Sequence, residues 1–482
     1  MAATDEICGL DTATLARRIA AKELSAVEAL DAVLDRLDRL DPTLHMFATV
    51  VAQQARQDAK RIEADLAAGR EVGPLAGVPT SVKDLIYTKG IRTAFGSHAY
   101  AEFVPEDDDV AVERIKAAGA IVIGKTQVAE FGFSGTGQTP LAEPTGNPWN
   151  PRRTSGGSSA GAAAAVATGV GPFALGGDAG GSIRLPASFC GLYGIKPTMG
   201  RVPIRTKDVR YPGVSSWESL EHVGPLTRTV ADAALILSVI AGHDDRDRHS
   251  IPSDGLDWQR AVDGDLRGVR VAYSADLGYA AVDPAVRSIV DQAVGVFERE
   301  LGCTVEYADP GWADPYEFLL PLIISESDLV GMRRLADRLG ERMSAHLVEV
   351  LRADWTVEQL TGAVMHRKMV YEAAWRFFRG YDLLLTPTAA VLPFEHGLQG
   401  PPVIDGREMD GFYWMSFAFP FNLTGQPAAS VPAGFTRDGL PVGLQIVGRR
   451  LDDGLVLRAS AAYEAAAPWH DRRPPILERP GS

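Results

Sequence analysis

The chain has 482 residues, of which 46% are hydrophobic and 23% are charged, a composition typical of a globular protein. Its formal net charge of −14 disfavours nucleic acids and other acidic molecules as partners. The three cysteines, Cys8, Cys190 and Cys303, are too few and too scattered for a disulfide framework or a structural zinc site. We therefore expect no metal centre and a location in a reducing cytoplasm.

The sequence contains no recognisable targeting or membrane segment. The first residues, MAATDEICGL, lack the basic and apolar regions of an export signal. No apolar run approaches the roughly 20 residues of a membrane helix without a glycine or a charge interrupting it. The sequence therefore predicts a soluble cytoplasmic protein without a membrane partner.

The N-terminal part alternates between predicted helices and strands. Residues 11–40 have the period of two amphipathic helices, and SAVE from Ser25 is a capping box at the start of the second. Pro42 is expected to end that helix. HMFATVV predicts a strand, residues 52–69 predict a charged helix, and LAGVPTSVKD predicts a turn and a short strand that carries Lys83.

Residues 119–126, GAIVIGKT, match the phosphate-binding pattern GxxxxGK[ST]. A phosphate loop follows a strand and opens a helix, whereas a segment with helical period precedes this motif. AIVI itself has the composition of a buried strand. We therefore expect the glycines to lie at the two ends of a strand, and we do not expect nucleotide binding.

The segment 154–186 holds two clusters of small residues, GGSS at 156–159 and GDAGGS at 177–182. An alanine-rich helix and a short strand are predicted between them. Glycines allow backbone N–H groups to converge on one point, and a serine at the end of such a cluster stands beside these donors. Acyl transfer needs this combination of nucleophile and oxyanion hole. A glycine-punctuated hairpin of the core is the alternative that the residues leave open.

The second half of the chain predicts a layered α/β protein. VRVAYS, PAVRSIVDQAVGVFEREL and CTVEYAD alternate strand, helix and strand. Residues 311–380 are predicted to be mostly helical, and residues 395–420 to be irregular and rich in aromatic side chains. YDLLLTP, SVPAGF and LPVGLQIVG predict strands, and DGLVLRASAAYEAA predicts a closing helix. YPGVSSWESLEHVGPLTRTV is predicted to form a loop before the helix ADAALILSVIAG.

Six segments together resemble one known family. LAGVPTSVKD, GTGQTPLAEPTGNPWNPRRTSGGSSAG, GGDAGGSIRLPASFCGLYGIKPTMGRVP, LEHVGPLTRTVADAA, LLLTPT and GLPVGLQIVG are similar to the motifs of the amidase signature enzymes. The resemblance implies a single amidase domain over residues 1–482, with a large twisted mixed β-sheet covered by helices on both faces. Residues 75–201 would be the core segment that carries the catalytic residues. Residues 311–380 and 395–420 would be variable regions at the substrate entrance.

The resemblance also implies a Ser–cis-Ser–Lys triad. Ser182 matches the nucleophile, Ser158 the bridging serine and Lys83 the base, and the Gly157–Ser158 peptide bond is expected to be cis. A lysine accepts a proton only when its amine is uncharged, and burial favours that form. None of the nine histidines lies in a recognisable triad motif. Without the resemblance, Lys83 would be interpreted as a strand lysine whose amine reaches water.

Two further groups are expected around the nucleophile. Asp178 and Arg184 flank it and are expected to form a structural ion pair near Gly157. The resemblance implies an oxyanion hole built from four consecutive backbone N–H groups, those of Ala179, Gly180, Gly181 and Ser182.

Aromatic side chains predict a binding pocket for a bulky or aryl group. The candidates are Phe131, Phe133, Tyr413, Trp414 and Phe417, and core packing is the alternative for at least one of the first two.

The predicted function is hydrolysis of C–N bonds in bulky or aryl amides by a monomer or homodimer without a cofactor. Carbamates (urethanes) and esters are related substrates, because all three are attacked at an acyl carbon. The alternative is the glutamine-hydrolysing subunit of a tRNA amidotransferase complex, which shares the triad and needs a partner protein. LEHVGPLTRTV and YEAAAPWHDRRPP are more similar to free-standing amidases and favour the first hypothesis.

Overall fold

A mixed sheet of eleven strands runs through the part of the chain that the computed structural model describes, residues 2–205, 211–214 and 217–478. Two short two-stranded sheets accompany it. The strands, in chain order, are β1 Phe47–Val50, β2 Pro79–Lys83, β3 Ile121–Thr126, β4 Gly146–Asn147, β5 Asn150–Thr154, β6 Phe173–Asp178, β7 Tyr193–Lys196, β8 His222–Thr227, β9 Arg270–Tyr273, β10 Thr304–Tyr307, β11 Leu383–Pro387, β12 Val403–Ile404, β13 Arg407–Glu408, β14 Ala428–Phe435 and β15 Pro441–Gly448.

Helices flank this sheet and include those predicted from the sequence. Their bounds are α1 Ala2–Gly9, α2 Thr12–Ala20, α3 Ala26–Leu44, α4 Ala52–Ala67, α5 Val110–Ala117, α6 Ala160–Ala167, α7 Arg184–Cys190, α8 Val230–Ile240, α9 Pro284–Arg299, α10 Tyr316–Ser325, α11 Leu329–Leu339, α12 Ala345–Arg352, α13 Val357–Phe377, α14 Pro420–Thr424 and α15 Asp453–Ala466. Among the described residues, no helix combines the length and the hydropathy needed to cross a membrane.

The order of strands in the main sheet is β1-β3-β2-β6-β8-β7-β14-β15-β11-β9-β10. Parallel pairs join β3 to β2, β2 to β6, β11 to β9 and β9 to β10. The other neighbours are antiparallel. The predicted mixed sheet of an α/β protein is therefore confirmed.

The predicted strand at the phosphate-loop pattern is confirmed as β3. The side chain of Lys125 is buried in the protein and donates hydrogen bonds to Thr88 Oγ1 at 2.8 Å and Thr93 Oγ1 at 3.2 Å. Gly119 precedes the strand with φ of +92°, and Gly124 lies within it. The two glycines therefore belong to a strand and its approach, and the expectation at Gly124 differs only in that it is not at the strand end.

The N-terminal helices are confirmed, but the end of α3 was predicted too early. The capping box at Ser25 is present, and α3 continues through Pro42 to Leu44. The helix ends where His45 adopts a left-handed conformation with φ of 49° and donates its N–H to the carbonyl of Asp41. The Asp41 carboxylate accepts a further bond from Met46 N at 2.6 Å. This local cap, and not the proline, ends the helix.

One strand was missed within the predicted loop LEHVGPLT. β8 lies between β6 and β7, with His222 opposite Asp178 and Thr227 opposite Tyr193. Its Gly-Pro pair disfavours a strand locally, but antiparallel neighbours on both sides supply the backbone partners. Residues 215 and 216 of the same predicted loop lie outside the described residues.

Candidate active site

Three segments bring the predicted triad residues to one edge of the sheet. Lys83 is the last residue of β2, and Ser182 follows β6 and precedes α7. β2 and β6 are parallel neighbours with Ser81 opposite Ala174, so their carboxyl ends lie side by side. Ser158 stands two residues before α6, which packs against both strands.

Lys83 and Ser158 meet in the protein interior. Lys83 Nζ is hydrogen-bonded to Ser158 Oγ at 2.8 Å and to the carbonyl oxygen of Gly177 at 2.7 Å. Each of the two side chains is only 2% exposed. The Gly157–Ser158 peptide bond is cis, as the resemblance implied. Two of the three predicted triad side chains are therefore in direct contact.

Two glycines leave room for this contact. A Cβ on Gly157 would lie 2.2 Å from the carbonyl oxygen of Thr136, which no real side chain tolerates. A Cβ on Gly177 would lie 3.6 Å from Lys83 Nζ and 3.2 Å from Glu221 Oε1. The carboxylate of Glu221 therefore comes close to the amine end of Lys83.

Ser182 belongs to a loop that is held from behind by a buried ion pair. Arg184 donates to both carboxylate oxygens of Asp178 at 2.9 Å, and neither side chain is exposed. Asn422 Nδ2 donates to the carbonyl and to the carboxylate of Asp178, both at 2.8 Å. Burial would raise the pKa of Asp178, but the charge of Arg184 and these hydrogen bonds hold that pKa far below its usual range. The predicted ion pair is present and fixes the loop.

The same carboxylate changes the expected set of oxyanion donors. Gly181 N donates to Asp178 Oδ1 at 2.8 Å, and Ile183 N donates to Asp178 Oδ2 at 3.2 Å. An N–H group engaged by a carboxylate is not available to an oxyanion, so Gly181 leaves the predicted set. Among the described residues, the remaining three N–H groups have no acceptor: those of Ala179, Gly180 and Ser182.

A cavity of about 240 Å³ opens next to this loop. Ala179, Gly180 and Ser182 form part of its wall, whereas Lys83 and Ser158 do not line it. Ser182 thus lies between the cavity and the interior, and its carbonyl oxygen accepts a hydrogen bond from Ser159 N at 3.3 Å.

One of the five aromatic residues predicted for the pocket lines this cavity. It is Phe133, whose ring packs edge-on against Trp217 with the centroids 4.9 Å apart. Phe131 does not, because its φ of 51° turns the chain and its ring packs against Tyr100. That prediction for Phe131 is wrong, and core packing was the correct alternative.

The predictions for three residues of the segment 413–417 are also wrong. Trp414 is fully buried, stacks on Phe189 at 5.3 Å and donates to the carbonyl of Gln399. Tyr413 points its hydroxyl to Asp314 Oδ2 at 2.9 Å. Phe417 is fully buried in the core. None of the three lines the cavity.

Sequence reasoning missed most of the cavity wall. The segment Tyr413–Met415 is a 3₁₀ turn, in which residues three apart share a face. The spacing of Phe412 and Met415 is therefore the signal that could have found them. The missed aromatic, histidine and methionine side chains are Trp217, Tyr316, His346, Trp355, Phe412 and Met415.

Among the described residues, no group of three or more histidine, cysteine, aspartate or glutamate side chains is arranged to hold a metal ion. The site is therefore made of two serines, a lysine and backbone donors around an aromatic cavity. Such a set can activate a hydroxyl and stabilise an oxyanion, which is the chemistry of acyl transfer.

Comparison with known proteins places the chain in a family. The family model described as Amidase matches residues 28–457, which is most of the chain. The chain belongs to the amidase family. This amidase is 37% identical to an acylamidase of Rhodococcus erythropolis over 477 residues, which cover 96% of this chain and 97% of the relative. The predicted class of enzyme is confirmed, and the protein is an amide hydrolase.

Two other relatives bear on the choice of substrate. The solved structure of a bacterial aryl acylamidase of the amidase signature family superposes with a TM-score of 0.90 at 32% identity, covering 98% of this amidase and 99% of that chain. A glutamyl-tRNA(Gln) amidotransferase subunit of Thermosynechococcus vestitus is 36% identical over 488 residues, which cover 96% of this amidase and 99% of the relative.

Proposed function

We propose that this amidase hydrolyses amides that carry a bulky or aryl group, through an acyl-enzyme on Ser182. What supports the proposal most is the position of Ser182. It lines an aromatic cavity on one side, and its backbone is hydrogen-bonded to Ser159, the neighbour of Ser158, on the other. A nucleophile needs both a substrate in front of it and a base behind it.

The proposed reaction moves one proton through two hydroxyls. An uncharged Lys83 accepts the proton of Ser158, and Ser158 accepts the proton of Ser182 as Ser182 Oγ attacks the acyl carbon. The N–H groups of Ala179, Gly180 and Ser182 stabilise the oxyanion. The relay then returns the proton to the departing amine as the C–N bond breaks. Water, deprotonated through the same relay, hydrolyses the ester on Ser182.

The composition of the cavity wall supports a neutral, aromatic substrate. Phe133, Trp217, Phe412 and Met415 are among its apolar side chains, and its acidic side chain Glu317 is not matched by a base. Of the described residues that line the cavity, none is lysine or arginine. An amide with a carboxylate therefore lacks a cation to hold it. The two acylamidase relatives support the same substrate class.

The second candidate is glutamine hydrolysis within a tRNA amidotransferase complex. The 36% identity to a glutamyl-tRNA(Gln) amidotransferase subunit over nearly the full length of both chains favours it. Glutamine carries an α-carboxylate, and the absence of a cation from the described cavity wall argues against this substrate. We therefore rank the aryl amide first.

A substrate panel tests the two candidates. The purified protein is assayed with anilides, aryl carbamates, aryl esters and L-glutamine, each over a range of concentrations. We expect kcat/KM for the best anilide to exceed that for glutamine at least about 100-fold, since a buried unpaired carboxylate costs several kcal/mol. Absence of activity on every aryl compound, with glutamine hydrolysis that rises when a tRNA-binding partner is added, would establish the second candidate.

A further inference from the structure

We propose that His346 forms a subsite in the catalytic cavity that binds a neutral hydrogen-bond acceptor on the aromatic group of the substrate. The inference rests on the proposed function, because its ligand is part of the aryl amide. His346 is the second residue of α12 and lines the same cavity as Ser182.

The donors of the aromatic lining residues are already used inside the protein. Each of them has a protein acceptor, so none is left for a ligand. Trp217 Nε1 donates to Ser327 Oγ at 2.9 Å, Trp355 Nε1 donates to Val350 O at 2.9 Å, and the hydroxyl of Tyr316 donates to Asp410.

His346 Nε2 differs from these donors. It is buried and has no hydrogen-bond partner among the described residues. A buried polar atom without a partner is uncommon in native proteins and has a cost in free energy. An acceptor on a bound ligand removes that cost, which makes Nε2 a recognition group.

The neighbours of His346 determine which nitrogen carries the proton. Gln399 Nε2 lies 3.2 Å from His346 Nδ1, and Gln399 Oε1 accepts from Ser134 Oγ at 2.6 Å. With its oxygen bound to Ser134, Gln399 directs its N–H groups to Nδ1. Nδ1 is therefore the acceptor, and the hydrogen of the neutral imidazole is on Nε2.

The surroundings also favour a neutral ring. Burial lowers the pKa of His346, and this effect outweighs opposing contributions from the backbone of Phe133 and from Glu349. A neutral N–H in an apolar cavity pairs with a neutral acceptor, such as an ether, nitro or ketone oxygen on the ring. A site built around one donor discriminates against a ligand of the same shape that lacks the acceptor.

The test uses pairs of anilides that differ in one atom, a methoxy ring and an ethyl ring of nearly the same shape. One series carries the ring on the amine side and the other on the acyl side. The wild type, His346→Leu, His346→Gln and His366→Leu are compared by kcat, KM and thermal unfolding. His366 is the matched control, because its Nε2 also lacks a partner but it does not line the cavity.

We expect the wild type to prefer the methoxy compound in one series by about five- to tenfold in kcat/KM, mainly through KM, the size of one net hydrogen bond. The methoxy-to-ethyl ratio should fall to about one in His346→Leu, stay partly in His346→Gln, which keeps an N–H donor, and match the wild type in His366→Leu. Dividing the wild-type ratio by the variant ratio removes the electronic effect of the substituent.

Equal ratios in the wild type and in His346→Leu, in both series, overturn the subsite while the proposed function stands. If the wild type cleaves no aryl amide, the proposed function fails, and calorimetry decides the subsite separately. The same pairs are then titrated into Ser182→Ala and Ser182→Ala/His346→Leu. A methoxy-to-ethyl ratio of Kd that is the same in both proteins overturns the subsite, and a ratio that changes about five- to tenfold supports it.

Discussion

Ser182 is partly exposed to the cavity, so its hydroxyl can be removed without opening a hole in the core. We expect Ser182→Ala to lower kcat by a factor of about 10⁴ or more, because loss of a nucleophile leaves only binding and oxyanion stabilisation. The midpoint of thermal unfolding should stay within about 2 °C of the wild type, as for other changes outside the core.

Steady-state kinetics and calorimetry measure both quantities. Ser188→Ala, in α7 and away from the cavity wall, is the matched serine control and should retain turnover. A Ser182→Ala protein with near wild-type kcat would show that another residue is the nucleophile.

At this scale, the triad could be predicted and the pocket could not. Ser158, Ser182 and Lys83 lie in local motifs whose glycines and neighbours identify them. The direction of an aromatic side chain depends on backbone turns and distant neighbours. Phe131 and Phe133 are two residues apart in one predicted loop, yet only Phe133 reaches the cavity.

The 3₁₀ turn Tyr413–Met415 decides which aromatic side chains the substrate meets. Phe412 lines the cavity, while Tyr413 bonds to Asp314 outside it. We expect Phe412→Ala to raise KM for aryl amides about tenfold, through the loss of one aromatic contact surface.

Tyr413→Phe is the paired control, since it removes only the hydroxyl bond to Asp314. It should leave KM within about twofold and lower stability by about 1 kcal/mol. Michaelis constants for one anilide measured on both variants check the prediction. A larger change in KM for Tyr413→Phe than for Phe412→Ala would contradict the assigned faces of the turn.

Elements with strong local signals were predicted well. α15 and the capping box of α3 have clear periodicity and end signals, and both were found. β8 was missed because its Gly-Pro pair is unfavourable for a strand, and its stability comes from β6 and β7 on either side. Pairing of distant strands is not recorded in the local pattern of residues.

Buried acids give the whole molecule a characteristic dependence on pH. Burial raises the pKa of Asp232 to about 6, against backbone hydrogen bonds from Thr12 and Ala13 and the charge of Arg228. In the unfolded chain the pKa of aspartate is about 3.9. The folded state therefore binds the proton more tightly, and this carboxyl adds stability as the pH falls through about 6.

Comparison with Asp232→Asn isolates this effect, because asparagine does not titrate. The free energy of unfolding of the wild type, relative to Asp232→Asn, should rise by about 1 kcal/mol between pH 8 and pH 5. Urea unfolding at the two pH values measures it. A difference between the two proteins that is constant with pH would contradict the raised pKa.

The class of the fold could be predicted from the sequence, whereas the order of strands could not. The alternation around β9, α9 and β10 indicates an α/β protein. The neighbours β2 and β6, which bring Lys83 to the serine loop, are separated along the chain by β3, β4 and β5. Only the folded sheet shows that they are adjacent.

The central claim is that Ser182 is the residue that becomes acylated, and covalent labelling tests it most directly. The protein is treated with an aryl sulfonyl fluoride or a fluorophosphonate until anilide hydrolysis stops, and the modified peptide is sequenced by mass spectrometry. The proposed mechanism predicts one label per chain, on Ser182, and no label in Ser182→Ala. Complete inactivation with the label on any other residue would contradict it.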